Sequence, residues 1–282
     1  MMAFRSLVVL TFATAVGCVG AAGAPTAQRN GTSGGVASFK NGDISLAYEI
    51  DFPEGAGPFP AVVLAHGSGR TTRDELRYLA QQWVMRGFAA LRFDKRGVGQ
   101  STGEYSWLNT PNSVQLIGDL AGDVVAGVHV LRRHRSVDAS RVGLSGNSQA
   151  GWILPAAARA LGDVPFMVVL SGPVCTIGEE LFYSDLAEWS ERPLDGVYTQ
   201  LLTFKGPHGY DPVPDLRAIE TRTLWLFGLD DRSIPVRTSI ARLRSLTASG
   251  KPFEWRTYES MGHQLPMSVW QDVDPWLARV RR

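Results

Sequence analysis

Ser148 lies in the run RVGLSGNSQAGWILP, residues 141–155, with Gly146 and Ala150 two positions to either side. A strand that turns sharply into a helix needs small residues at those places, because a branched side chain would collide as the backbone folds back. Such a turn lifts the serine hydroxyl above the sheet and aims the first N–H groups of the helix at the same point. Serine is also a good helix N-cap, so this short pattern alone leaves cap and nucleophile both open. A nucleophilic serine needs a base to take its proton and a carboxylate to orient that base. WLFGLDDRSIPV ends an apolar run with two candidate acids, Asp230 and Asp231, and YESMGHQLP presents His263 on a glycine-containing loop. Nucleophile, acid and base thus follow one another along the chain, each just past a strand end. In LAHGSGR, the backbone N–H of Ser68 or of Gly69 is placed to pair with that of Gln149 and hold a developing oxyanion. His66 reads as a brace for that loop.

These residues need a scaffold that delivers them to one edge. FPAVVLA, FAALRF, RVGLSG, FMVVLSG and TLWLFG are short apolar runs, the last three closed by glycine, as strands buried on both faces are, and FEWRTY follows as a last strand. Ahead of them, SFKNGDISLAYEID reads as a hairpin turning on Asn41–Gly42. Helical spacing of Leu76, Leu79, Ala80 and Trp83, with Thr72 as cap and Gly87 as stop, fits between two strands. Residues 110–134 hold a long helix and QDVDPWLARVRR a closing amphipathic one. Alternating strands and helices imply an α/β fold with a mainly parallel sheet and helices on both faces, where chemistry collects at the strand C-termini. Residues 173–221 break the alternation with about fifty mixed residues, too many for a plain connection, and are expected to form a helical cap beside the site.

The 282 residues carry 28 Lys and Arg against 27 Asp and Glu, a net charge of +1 that gives no basic footprint for nucleic acid. The partner expected is a small ester or acyl substrate. No phosphate-loop motif occurs, GVGQSTG has the wrong glycine spacing for a dinucleotide, and His129 and His134 do not share a helix face. Neither cofactor nor metal is implied. MMAFRSLVVLTFATAVGC runs from one arginine into an apolar stretch and then small residues, the order of an export signal. Residues 1–24 are therefore expected to be a signal peptide, 25–37 a flexible leader and 38–282 the folded domain. The protein would be periplasmic or extracellular. AVGC is similar to a lipoprotein signal, in which Cys18 would carry a lipid; cleavage after Ala21 or Gly23 is the rival.

Taken in order, HGSG, DKRGVGQSTG, GNSQAGW, GLDDRSIP and GH resemble the α/β-hydrolase superfamily from about residue 38 to the end. Exported bacterial hydrolases related to dipeptidyl-aminopeptidases and acylaminoacyl-peptidases are the nearest likeness, on SGPVCTIGEE as well. The resemblance implies the α/β-hydrolase fold and a serine hydrolase. The family's Gly-x-x-Asp-x-x-(Val/Ile)-Pro run falls on Gly228, Asp231, Ile234 and Pro235, which implies Asp231 rather than Asp230 as the acid. It also implies that Asp94 and Arg96 brace their turn. The expected reaction is cleavage of carboxylic esters through an acyl-enzyme on Ser148, with Asp231 and His263. An exopeptidase or amidase gripping a substrate amine with Glu179 and Glu180, an acyltransferase with the same triad, and a ligand-binding pseudo-hydrolase are the alternatives. Trp152, Phe182, Tyr183, Trp189 and Tyr198 suggest an apolar pocket under the cap, or simply its core.

Overall fold

The computed structural model describes residues 36–188 and 190–280. The signal, its cleavage points and Cys18 lie outside the described residues, as does Trp189. An eight-stranded sheet runs in the order β1-β2-β4-β3-β5-β6-β7-β8. The hairpin of β1 (Ser38–Asn41) and β2 (Ile44–Asp51) pairs antiparallel, and β2 joins β4 (Ala89–Phe93) antiparallel. From there β3 (Phe59–Ala65), β5 (Val137–Asn147), β6 (Phe166–Leu170), β7 (Arg222–Gly228) and β8 (Phe253–Tyr258) continue in parallel. This is the α/β-hydrolase fold, with the strand C-termini of the parallel part all at one edge.

The hairpin turns one residue later than expected. Asn41 pairs with Ile44, so Gly42 and Asp43 occupy the two central positions. Gly42 takes φ +57°, a conformation that costs glycine little, while the Asn41 side chain donates to Asp123 Oδ1 at 2.8 Å. Thr72 does not cap the first helix either. Its N–H donates to Glu75 Oε1 at 3.0 Å within a separate turn, and α1 begins at Arg77 and ends at Val84.

Side-chain alternation divides the core into two layers. Ala61, Val63 and Ala65 of β3 face α2 (Ser113–Arg132) and α3 (Ala150–Leu161), with α7 (Val236–Ala248) farther along that side. Val62 and Leu64 face Trp83 of α1 and Trp276 of α8 (Trp270–Val280). Each fully buried large apolar side chain adds about 1.5–3 kcal/mol, and both sheet faces are covered, so the strand order is firmly specified. Arg92 interrupts the apolar β4 and is itself fully buried. It is satisfied by Asp51 at 2.6 Å, by Glu49 and by the Arg73 carbonyl at 3.1 Å.

Between β6 and β7 the chain forms α4 (Ile177–Ala187), α5 (Leu194–Leu201) and α6 (Val213–Ala218). Thr176 and Glu179 build a reciprocal cap at the start of α4. Tyr183, Ala187, Val197 and Leu201 pack into a small apolar cluster of their own, apart from the two main layers.

Candidate active site

Ser148 sits at the β5–α3 junction with φ +54°, a left-handed conformation rare for a residue with a side chain. The surrounding glycines explain how the turn is tolerated. A Cβ on Gly146 would stand 2.6 Å from both Ala65 O and Ala150 Cβ. A Cβ on Gly151 would stand 2.6 Å from Pro173 N, so Gly151 packs against the chain leaving β6 rather than against the sheet itself. The Ser148 N–H donates to Leu170 O at 2.9 Å, which ties the turn to the end of β6.

The next residue, Ser171, links the turn to the histidine loop. Its backbone is also left-handed, at φ +46°, and its hydroxyl donates to the His263 carbonyl at 2.7 Å. Neighbouring residues at the end of one strand thus hold the loops of Ser148 and His263. Gly228 ends β7 so close to the histidine loop that a Cβ there would lie 2.3 Å from the carbonyl oxygens of Met261 and Gly262. The Asp230 N–H donates to Met261 O at 2.9 Å, closing the acid loop onto the histidine loop.

Asp231, not Asp230, faces the imidazole. Its Oδ2 lies 2.8 Å from His263 Nδ1, and its Oδ1 accepts the N–H groups of Ser233 at 2.8 Å and Ile234 at 3.0 Å. The acid is fully buried, whereas the His263 side chain keeps 20% of its exposure. That combination suits a carboxylate that only orients and a base that must reach a substrate. Tyr183 of α4 donates its hydroxyl to the Asp231 carbonyl at 2.7 Å, so the cap braces the acid loop directly. Burial pushes the Tyr183 phenol well above its ordinary range, which keeps it a donor.

The glycine loop after β3 comes up beside the serine: a Cβ on Gly67 would touch Ser148 Cβ at 3.4 Å. Among the described residues, no acceptor pairs with the backbone N–H of Ser68 or of Gln149. The same holds for the Gly69 N–H, which lies near the Tyr105 hydroxyl. His66 is buried and its Nε2 meets Phe93 O at 2.5 Å. Burial, with the nearby Lys95 charge, lowers it to about 3, so it stays neutral and serves as a brace. Asp94 accepts from the Arg73 N–H and guanidinium and from the Gln100 N–H, while Arg96 grips Asp123 of α2 at 2.7 Å.

Three groups that the sequence reading did not single out contribute here. They are Ser171, Tyr183, which the sequence marks only as an aromatic, and Lys95. Lys95 stands in DKRG immediately after a buried strand, and a cation at such a place is the signal that could have found it. Of the aromatics, Trp152 is buried with its indole donating to Cys175 O at 2.7 Å. Tyr183 is core to the cap, and Phe182 and Tyr198 pack onto that cluster. Glu179 is committed to Thr176 and to Arg242 at 2.7 Å, which separates it from Glu180. Glu180 is pushed up to about 8 by burial and by the neighbouring carboxylates of Glu188, Asp231 and Asp185.

The Asp231–His263 pair can hold an imidazolium against a buried carboxylate, and the loops of Ser148 and His263 are tied to neighbouring residues at the end of β6. Comparison with known proteins agrees with the architecture. Residues 75–278 match the prolyl oligopeptidase family. The chain is 30% identical over 142 residues to an esterase, EstD, of Thermotoga maritima, covering 46% of this chain and 32% of that one. It is 25% identical over 221 residues to the acylamino-acid-releasing enzyme of Rattus norvegicus, covering 73% and 29%. The chain spans about a third of the length of the curated relatives it matches. An acetyl xylan esterase from Paenibacillus sp. R4 superposes with a TM-score of 0.60 at 23% identity, covering 83% of this chain and 79% of that one.

Proposed function

The chain belongs to the prolyl oligopeptidase family, and from that premise we propose that it is a serine hydrolase that cleaves carboxylic esters through an acyl-enzyme on Ser148. His263 Nε2 takes the Ser148 proton as the Oγ attacks the ester carbonyl. The Ser68 and Gln149 N–H groups receive the oxyanion, and His263 returns the proton to the departing alcohol. Water then attacks the acyl-enzyme by the same route and releases the acid. Asp231 holds the Nδ1–H tautomer throughout and balances the imidazolium charge.

The observation that carries this reading is the 2.8 Å contact between Asp231 and His263, on a loop pinned to Ser171 one residue beyond the acceptor of the Ser148 N–H. The Ser68 N–H has no acceptor among the described residues, and the carbonyl of its own peptide, Gly67 O, is held by Lys95 Nζ at 2.6 Å; both favour Ser68 as the loop's donor. An exopeptidase gripping a free amine between two acids is less well supported, because Glu179 is already held by Arg242. An ester-named relative and an esterase-named structural neighbour support the ester reading. Export through residues 1–24, with a lipid on Cys18 or cleavage a few residues later, completes the proposal. Mass analysis of the mature N-terminus tests that part.

Ser148→Ala tests the chemistry. It should lower turnover of p-nitrophenyl esters by several orders of magnitude, about 10⁴-fold or more, and abolish labelling by a fluorophosphonate probe, with the fold intact. Undiminished ester hydrolysis by Ser148→Ala would overturn the assignment.

A further inference from the structure

The oxyanion donors arrive from different strands, Ser68 after β3 and Gln149 after β5. Their spacing must therefore be set by something that spans both loops. Lys95, just past β4, does so. Its Nζ donates to Gly67 O at 2.6 Å, to Gly69 O at 3.0 Å and to Gln149 Oε1 at 3.1 Å. Its own N–H donates to Thr71 O at 3.2 Å, and the residue is only 3% exposed. A buried ammonium thus has three N–H donors and three acceptors.

One of those acceptors has a direct consequence. Gly67 O and the Ser68 N–H belong to one planar trans peptide and point in opposite directions. An ammonium holding that carbonyl from one side turns the N–H to the other, away from Lys95. A hydrogen bond to the carbonyl also polarises the amide and strengthens its N–H as a donor. We propose that Lys95 is the positioning residue of the oxyanion site, orienting the Ser68 N–H through Gly67 and tying that loop to Gln149.

The surroundings make the charge state of Lys95 consequential. From its own loop, Asp94 is committed to Arg73 and Gln100, and Arg96 to Asp123. From the β3 loop come the neutral His66 and Arg70, whose guanidinium stacks 5.0 Å from the Tyr105 ring centre. From the turn before α1, Glu75 alone favours the ammonium; Gln149 on the α3 side is uncharged. Burial outweighs Glu75 and lowers Lys95 to about 8. Above that pH a neutral amine keeps two N–H donors for three acceptors and turns a lone pair toward an oxygen.

The inference rests on the proposed hydrolase function, and the two can fail separately. With a neutral p-nitrophenyl ester, wild-type kcat should fall on an alkaline limb near pH 8, while circular dichroism stays constant over that range. Lys95→Met should lower kcat about 100-fold, the scale of losing one oxyanion donor, with KM within about threefold, and its alkaline limb should vanish. A general loosening of the fold would move KM and Tm together and would not remove the limb. Activity that depends on Ser148 but survives Lys95→Met within about fivefold overturns this inference alone. Activity indifferent to Ser148→Ala overturns the hydrolase reading instead. If Lys95→Met does not fold, the wild-type profile decides, and a flat profile from about pH 7 to 9.5 refutes the role.

Discussion

Replacing Asp231 by Asn changes one atom and should remove most of the activity. Asp231 Oδ1 accepts two backbone N–H groups, from Ser233 and Ile234, in a fully buried position. An asparagine whose NH₂ faced those donors would leave both without an acceptor, at about 1–3 kcal/mol each. Its carbonyl oxygen therefore keeps that place, favoured by about 2–6 kcal/mol, and its NH₂ faces His263 Nδ1. The imidazole must then accept at Nδ1 and carry its proton on Nε2, which leaves nothing to receive the Ser148 proton. Loss of the correct tautomer costs about 10⁴ in kcat where it has been isolated, ~5.5 kcal/mol at about 1.4 per decade. Steady-state hydrolysis of p-nitrophenyl butyrate gives kcat and KM, and thermal unfolding checks that the near-isosteric variant is folded. Asp230→Asn, whose side chain does not touch the imidazole, is the matched control and should stay close to wild type. A kcat loss below about tenfold in a folded Asp231→Asn variant would refute the orienting role.

Gly228→Ala places a methyl group 2.3 Å from the carbonyls of Met261 and Gly262, so the histidine loop must move. Stability should drop by about 1–3 kcal/mol in denaturant titration and kcat by at least about tenfold; unchanged kcat would show that the loop yields without disturbing His263. Glu180→Gln should alter the pH dependence of stability. The folded-state value of Glu180 is raised to about 8, so the native state binds a proton that the unfolded chain has already lost. Stability associated with this group is complete below the ordinary carboxylate range and is lost as pH rises through about 8. Tm of the wild type should therefore fall toward pH 9, and Glu180→Gln should raise Tm there while changing little near pH 4. The carboxyl keeps some access to water, which makes the effect smaller than full burial would give. Equal Tm for both proteins at pH 9 would overturn it.

Much of the fold was legible because β3, β6 and β7 are nearly continuous apolar runs with a glycine at or within two residues of the strand end. Val62 to Ala65 or Val168 to Leu170 can be stable only as strands covered on both faces, and helices between them demand parallel pairing. Helix and turn boundaries were less legible. Thr72 looks like a cap, yet the Glu75 carboxylate reaches back to its N–H and Arg73 turns to Asp94, so the first helix waits until Arg77. Asn41–Gly42 is the stronger local turn signal, but the cross-strand register and the Asn41–Asp123 bond move the turn on by one residue. Arg92 was hidden inside an apolar run because its partners stand on a strand forty residues earlier in the chain.

For the candidate site, residue types and their order along the chain determined Ser148, the Asp230–Asp231 pair, His263 and the glycine loop at Ser68 and Gly69. Each is marked locally: a small-residue turn, an acid just past a strand, a histidine on a loop. Whether they meet depends on contacts between segments far apart in sequence. Tertiary structure decided that Asp231 faces the imidazole, that Ser171 and Gly228 set the histidine loop, and that Tyr183 braces the acid from the cap. It also decided that Lys95 reaches two loops 28 and 54 residues away in opposite directions along the chain. The physical reason is that a lysine ammonium has no preferred partner in its own sequence neighbourhood. Only the folded sheet brings three acceptors within reach of one buried charge.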